Sequence, residues 1–176
     1  MSISAAEEFA GESVVSAAAR REIQVLIDRY PRKRSALIPA LWIIQNEHGW
    51  LRPEAMEELA EMLEVEPVEV QETASFYTLL FKKPVGRYVI DVCTSVSCML
   101  LGGLDVSRAV QNKLGIKPGE TTQDNLFTLR EVECIAACMG APCAQINYEY
   151  HENLTPESIC KTIDLIAEKA NVMRKA

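Results

Sequence analysis

The sequence lacks any long apolar run: its longest, residues 36–44, contains Pro39 and is far too short to span a bilayer. It also lacks an excess of basic residues, since 18 Lys and Arg stand against 25 Asp and Glu, a net charge of -7. Binding to phosphates needs a concentrated basic face, so nucleic acid is not an expected partner. The first residues include acids and form no basic, apolar leader, so no targeting segment is predicted. We therefore expect a soluble protein without direct membrane insertion.

Histidine is scarce, and both His48 and His151 lie outside the cysteine-containing segments. A Rieske centre, which needs two histidine ligands, is therefore excluded. Neither a G-x-G-x-x-G nor a G-x-x-x-x-G-K-S/T motif is present, and Gly102-Gly103 alone is too weak to indicate a phosphate site. No Ser/His/Asp or Cys/His nucleophile pattern is apparent. The chain is thus expected to bind neither NADH nor FMN by itself and to carry no catalytic residue.

The sequence does contain two cysteine pairs, Cys93 and Cys98 with four intervening residues and Cys134 and Cys138 with three. Two irons bridged by two sulfides need two protein thiolates each, and two separated pairs supply them. A structural zinc also takes four thiolates, but usually with the tighter C-x2-C spacing. The spacing favours a two-iron cluster, with zinc and unrelated buried thiols as alternatives. Six cysteines without a secretion signal indicate thiols or metal ligands more than disulfides.

The N-terminal half has the apolar periodicity of four short helices. The first helix carries one apolar stripe, formed by Ile23, Leu26, Ile27 and Tyr30. The other three are predicted over about residues 35–48, 53–63 and 66–77, with Gly49 as a C-cap and Pro53 at a first helical position. Three glutamates of the third helix are expected to face solvent, namely Glu57, Glu58 and Glu61. Tight connections between four short helices predict a small bundle over residues 1–82.

From residue 83 to residue 176 the pattern changes to an α/β layer, in an α+β chain overall. A strand over residues 87–93 ends on Cys93 and places Cys98 on the following loop. Gly102-Gly103 opens a helix, and further strands are predicted over residues 126–133 and 144–150 before a last helix capped by Thr155 and Pro156. Because both cysteine pairs follow the carboxyl ends of strands, their loops can converge on a shared site.

Four motifs occur together: Ala74-Ser75-Phe76-Tyr77, Pro84-Val85-Gly86, Cys93-x4-Cys98-x3-Gly102 and Glu133-Cys134-x3-Cys138-x2-Ala141-Pro142. Their combination resembles the NuoE-type subunit of bacterial NADH-quinone oxidoreductase, respiratory complex I, from the second helix to the last. The resemblance implies a small helical bundle followed by a thioredoxin-like [2Fe-2S] ferredoxin domain. It also implies that one [2Fe-2S] cluster is bound by the four matching cysteines, Cys93, Cys98, Cys134 and Cys138.

The resemblance further implies an electron-transfer subunit of an oxidoreductase, without a substrate site of its own. Its cluster would exchange electrons with the FMN of a NuoF-type, NADH-binding partner, so FMN and NADH are expected on that partner. The chain would then belong to the peripheral arm of a complex at the cytoplasmic face of the bacterial inner membrane. We expect the docking surface near the cysteine loops, including Gly102 and the turn over residues 139–142, because electron transfer demands proximity.

Three alternatives remain. The equivalent small diaphorase subunit of an NAD-linked hydrogenase or formate dehydrogenase has a similar sequence, and only the partner separates the two. A zinc-stabilised interaction module would be colourless. A thioredoxin-like dithiol enzyme would need a C-x2-C motif, which is missing.

Two positions depart from the family pattern. Ala136-Ala137 stands where the family often has a glycine, so a positive φ or a close amide-to-sulfur approach there would be perturbed by the methyl group. Cys143 stands where an aliphatic residue or Met is usual, and we interpret it as a small buried apolar residue. The sixth cysteine, Cys160, is interpreted as a core residue of the last helix.

Overall fold

The computed structural model describes residues 13–175, which divide into two compact units, the chain passing from one to the other between Pro84 and Val85. No helix within the described range is both long and apolar enough to cross a membrane.

The first unit contains the four predicted helices: α1 Ala17–Arg29, α2 Leu37–His48, α3 Pro53–Leu63 and α4 Pro67–Phe76. A 3₁₀ turn, Lys33–Ala36, precedes α2. The end signals act as the sequence predicts: Gly49 adopts a left-handed φ of 78° after α2 and Pro53 opens α3. Both residues have the backbone preferences that these positions require.

One apolar core holds the four helices of this unit together. Its largest fully buried side chains are Ile23, Leu41, Ile44, Leu51, Leu59 and Leu63. Burying one such side chain contributes about 1.5–3 kcal/mol, so this core accounts for the packing of helices that would be too short to persist alone.

The second unit is a four-stranded sheet with helices: β1 Tyr88–Cys93, α5 Val96–Leu100, α6 Gly103–Leu114, β2 Phe127–Val132, β3 Ala144–Ile146, β4 Glu149–His151 and α7 Pro156–Lys175. The strand order is β2-β1-β3-β4. β1 runs parallel to β2 and antiparallel to β3, and β3 runs antiparallel to β4. Apolar residues of β1, β2, α6 and α7 share one core, so helices cover the sheet and the predicted α/β class is confirmed.

The predicted third strand, residues 144–150, is wrong in its extent. The chain turns at Asn147 and Tyr148, where φ is 45° and 73°, and returns as β4. Asn147 fixes the turn with its side chain: its Oδ1 accepts from the Val89 N–H and its Nδ2 donates to the Arg87 carbonyl, both at 2.8 Å. An asparagine tolerates this left-handed conformation better than most residues, and its amide continues the ladder of β1.

Candidate metal centre

The sheet brings the starts of both cysteine loops to one edge. Cys93 is the last residue of β1 and pairs with Val132, the last residue of the parallel neighbour β2. Cys134 follows two residues later. Because parallel neighbours end at the same edge, both loops leave the sheet side by side, as the sequence predicted. Thr94 joins them, since its N–H and its hydroxyl both donate to the Val132 carbonyl, at 2.9 and 3.1 Å.

Cys98 lies in the short helix α5 and not on a loop as predicted. Ser95 precedes this helix in extended conformation, and Gly102 follows it with a left-handed φ of 96°. Gly103 then packs directly against the loop: a Cβ at that position would lie 2.8 Å from the Cys98 carbonyl oxygen and 3.0 Å from that of Cys93. The sequence signal Gly102-Gly103 therefore serves a sharp turn and a close backbone approach.

The second cysteine loop turns at Ala136, which has a φ of 60°. Its N–H donates to the Cys134 sulfur at 3.2 Å. Both features that the sequence analysis named for this position, a positive φ and an amide-to-sulfur approach, are present with an alanine in place of a glycine. Cys138 then begins a 3₁₀ turn, Cys138–Gly140.

The two pairs differ in exposure. Cys93 and Cys98 are 2% and 1% exposed, whereas Cys134 and Cys138 lie open to solvent. The second loop nevertheless reaches the buried pair. Apolar side chains at Ile135 and Ala137 pack against the buried sulfurs.

Cys143 belongs to the same buried group. Its sulfur lies 3.4 Å from that of Cys98. The sulfurs of Cys93, Cys98 and Cys143 all lie within 4.8 Å of one another, a spacing that can hold a metal ion. Cys143 is 1% exposed, as expected of a buried residue, but no sequence pattern indicated that its thiol would contact a ligand of the first pair.

Hydrogen bonds divide the thiols of this buried group. Burial opposes ionisation of Cys93, but N–H groups of Ser95 and Ile135 and the neighbouring thiols outweigh it and lower its pKa. Burial raises the pKa of Cys98, although the thiol and the N–H of Cys143 donate to it. Burial, followed by the adjacent Cys98, raises the pKa of Cys143 strongly. Cys93 is therefore the most readily deprotonated of the three, and the thiolate is the form that binds metal.

Cys160 takes no part in this group. It lies in α7, and its thiol donates to the Ala109 carbonyl of α6 at 3.9 Å. This agrees with its interpretation as a core residue.

The residues fit an all-thiolate iron–sulfur cluster. Sulfur is the donor atom of all five cysteines at this edge of the sheet, and backbone N–H groups of Ser95, Ile135 and Ala136 point at those sulfurs. Such amides stabilise the negative charge that a thiolate-bound cluster carries.

The family model of the thioredoxin-like [2Fe-2S] ferredoxin matches residues 23–167. The second of the E subunits of NADH-quinone oxidoreductase in Rhizobium meliloti (strain 1021) is 48% identical over 135 residues, which are 77% of this chain and 80% of the relative. The corresponding E-type subunit of NADH-quinone oxidoreductase in Rickettsia felis is 46% identical over 142 residues, 79% of this chain and 85% of the relative.

Among solved structures, a chain of an NAD+-reducing [NiFe]-hydrogenase in the air-oxidized state is similar with a TM-score of 0.66 and 27% identity. The similar region covers 76% of this chain but 23% of that one. The resemblance inferred from the sequence motifs is confirmed by the family match and by the two relatives. The chain belongs to the thioredoxin-like [2Fe-2S] ferredoxin family.

Proposed function

We propose that this chain is an electron-transfer subunit of an NADH-quinone oxidoreductase and holds one [2Fe-2S] cluster through Cys93, Cys98, Cys134 and Cys138. The observation that carries the proposal is the convergence of two cysteine loops from the ends of two parallel strands. Its support among known proteins comes from the two relatives that are named as subunits of this oxidoreductase.

When bound, the cluster accepts and returns one electron. The residues of this chain determine how strongly reduction is favoured. Burial of Cys93 and Cys98 disfavours added negative charge, while the N–H groups of Ile135 and Ala136 stabilise it. The exposed second pair leaves one side of the site open to a partner.

A cluster of exposed apolar side chains supports a protein partner. This surface, which we call the α5 patch, comprises Val96, Met99, Leu100, Leu101, Leu104 and Met139. Leu100 is 75% exposed and Met139 fully so, although both are adjacent in sequence to residues of the cysteine loops. Large apolar groups gathered on a surface mark interaction sites.

The partner in this proposal is the flavin-bearing, NADH-binding subunit, docked on the α5 patch so that its FMN exchanges electrons with the cluster. The complex would lie at the cytoplasmic face of the inner membrane, with this chain in its peripheral arm. The alternative, a small diaphorase subunit of an NAD-linked hydrogenase, is favoured by the structural neighbour. Identity of 48% to the oxidoreductase subunit against 27% to the hydrogenase chain supports the first assignment.

Anaerobic purification with iron, zinc and sulfide analysis tests the cluster. We expect two irons and two sulfides per chain, a red-brown colour, and an electron paramagnetic resonance signal after dithionite reduction centred below the free-electron g value. A colourless protein with one zinc would contradict the proposal and favour a structural module.

Substitutions in the α5 patch test the partner. Leu100→Glu and Leu101→Glu should abolish co-purification with the flavin subunit and leave the cluster content unchanged. The matched control is Leu165→Glu, a leucine of α7 that is 58% exposed outside the patch. Charge reversal of Glu57 and Glu61 on α3 provides a second comparison. Greater loss of assembly from these reversals than from the leucine variants would reject this docking surface.

A further inference from the structure

We propose that Cys143 is a reserve ligand, which can take the place of Cys98 at the iron that Cys93 holds. This inference rests on the proposed function, since it assumes a cluster bound by the two cysteine pairs. It assigns a role to a fifth thiol that the four-cysteine motif leaves unused.

The sulfur positions carry the proposal. Thiolates that share one tetrahedral metal ion with bonds of about 2.3 Å lie about 3.8 Å apart. The Cys98 and Cys143 sulfurs are 3.4 Å apart, and neither is more than 4.8 Å from that of Cys93. A metal ion bound to Cys93 is therefore within reach of either of the other two thiols after a side-chain adjustment of a fraction of an ångström.

The backbone holds Cys143 in this position. Its carbonyl accepts from the Cys93 N–H at 3.1 Å, and its own N–H donates to the Cys98 sulfur. The next residue, Ala144, pairs with Val92 in the sheet. These contacts do not depend on the Cys98 side chain alone, so the Cys143 thiol stays beside Cys93 when Cys98 is replaced.

The exposed pair has no such reserve. Within residues 13–175, the group of sulfurs close enough to share an ion includes neither Cys134 nor Cys138. The sixth cysteine, Cys160, donates to a carbonyl of α6. Loss of Cys98 and loss of Cys134 should therefore have different consequences, although both are proposed ligands.

The exchange is a ligand substitution without electron transfer. The Cys143 thiol releases its proton to solvent and forms an iron–sulfur bond as the thiolate. Where Cys98 is present and displaced, it leaves as a thiolate and takes up one proton, so the charge and the oxidation state of the cluster are unchanged. While Cys98 is bound, burial keeps Cys143 as the neutral thiol.

The experiment compares Cys98→Ala, Cys143→Ala, the double variant and Cys134→Ala in the full chain, purified anaerobically. Iron and sulfide per chain, the visible spectrum and the paramagnetic signal of the reduced protein are measured. Cys98→Ala should keep cluster content within about twofold of the original protein, and the double variant should lose at least about tenfold more. Cys143→Ala should match the original protein, and Cys134→Ala should lose the cluster. Cys160→Ala is the control for removing a thiol outside the site.

Cluster loss in Cys98→Ala as complete as in Cys134→Ala would overturn the inference. So would a cluster with the spectrum of oxygen ligation that is the same in Cys98→Ala and in the double variant, because water would then be the replacement ligand. If circular dichroism shows that Cys98→Ala is unfolded, Cys98→Ser with and without Cys143→Ala decides. An all-thiolate spectrum that is lost with Cys143 supports the reserve ligand, and identical spectra reject it. Absence of a cluster from the original protein would instead reject the proposed function.

Discussion

The N–H of Ala136 donates to the sulfur of Cys134 at 3.2 Å, and a φ of 60° at Ala136 makes this contact possible. A residue with a Cβ adopts that conformation at a cost of about 1–2 kcal/mol. The loop thus keeps an amide-to-sulfur contact at the expense of local backbone strain.

Ala136→Gly should stabilise the protein. Relief of the strain exceeds the added entropy of the unfolded chain, about 0.4–1 kcal/mol, so a net gain of about 0.5–1 kcal/mol is expected. The midpoint of anaerobic thermal unfolding should rise by a few degrees. Ala137→Gly is the matched control: with φ at -105° it has no strain to relieve and should lower the midpoint. Equal effects of the two variants would contradict this account.

Gly103→Ala should disrupt the first cysteine loop. The new methyl group would meet the carbonyl oxygens of Cys98 and Cys93 at 2.8 and 3.0 Å, so the start of α6 must move away from the loop. We expect a loss of about 1–3 kcal/mol together with reduced cluster content. Gly115→Ala, which places its methyl group in open space but at a φ of 67°, should cost about 1 kcal/mol and leave the iron content unchanged. Anaerobic denaturation with iron analysis compares them.

Arg130→Met should destabilise the sheet that carries the site. Arg130 and Asp91 face each other on neighbouring strands and form an ion pair at 2.8 Å, with the Asp91 side chain 6% exposed. Removing the guanidinium leaves a buried carboxylate without that partner, which costs about 3–5 kcal/mol. Adding Asp91→Leu should restore most of the loss in urea unfolding. A double variant no more stable than the single one would show that the charge is not the cause.

Glu58→Gln should reveal a pH-dependent contribution to stability in the first unit. Burial opposes ionisation of Glu58, but N–H groups of Val14 and Val15, the Ser13 hydroxyl and Arg20 outweigh it and lower its pKa below 4.5. An acid with a lowered pKa in the folded state adds stability above its unfolded pKa and loses it as the pH falls through the folded pKa. We expect a loss of about 1–2 kcal/mol near neutral pH, mainly from the backbone hydrogen bonds, because Arg20 is 39% exposed.

The difference between Glu58→Gln and the original protein should shrink as the pH falls below 4.5. Urea unfolding of both proteins across this range measures it, and acid loss of the cluster is common to both. Glu61→Gln on the exposed face of the same helix is the control and should have little effect. A constant difference at all pH values would exclude ionisation of Glu58 as the cause.

Local signals in the sequence were sufficient for most helix ends. Gly49, Pro53 and Thr155 each satisfy a backbone requirement of their own position, and each acts as predicted. Glu58 was expected to face solvent with its neighbours, yet it binds the residues that precede α1. That contact joins residues 44 apart, and periodicity within one helix carries no information about it.

At the site, the sequence predicted the edge of the sheet but not all of its contents. The helix α5 was missed because its apolar residues, such as Leu100 and Leu101, point to solvent and leave no amphipathic pattern. The neighbourhood of Cys143 was missed because it depends on the pairing of β3 with β1, which brings residues 45 apart into contact. Single-sequence patterns resolve strands and turns but not which side chains meet between them.

Solvent reaches the two halves of the cysteine site unequally, since Cys93 and Cys98 are almost wholly covered and Cys134 and Cys138 are not. Peroxide or a chelator would meet the outer thiols first and strip the iron held there before the inner one. The inner thiols, still in place at the ends of the sheet, would then form a template on which the missing half is rebuilt without unfolding the protein. Vulnerability and the means of repair thus lie on the same edge of the fold.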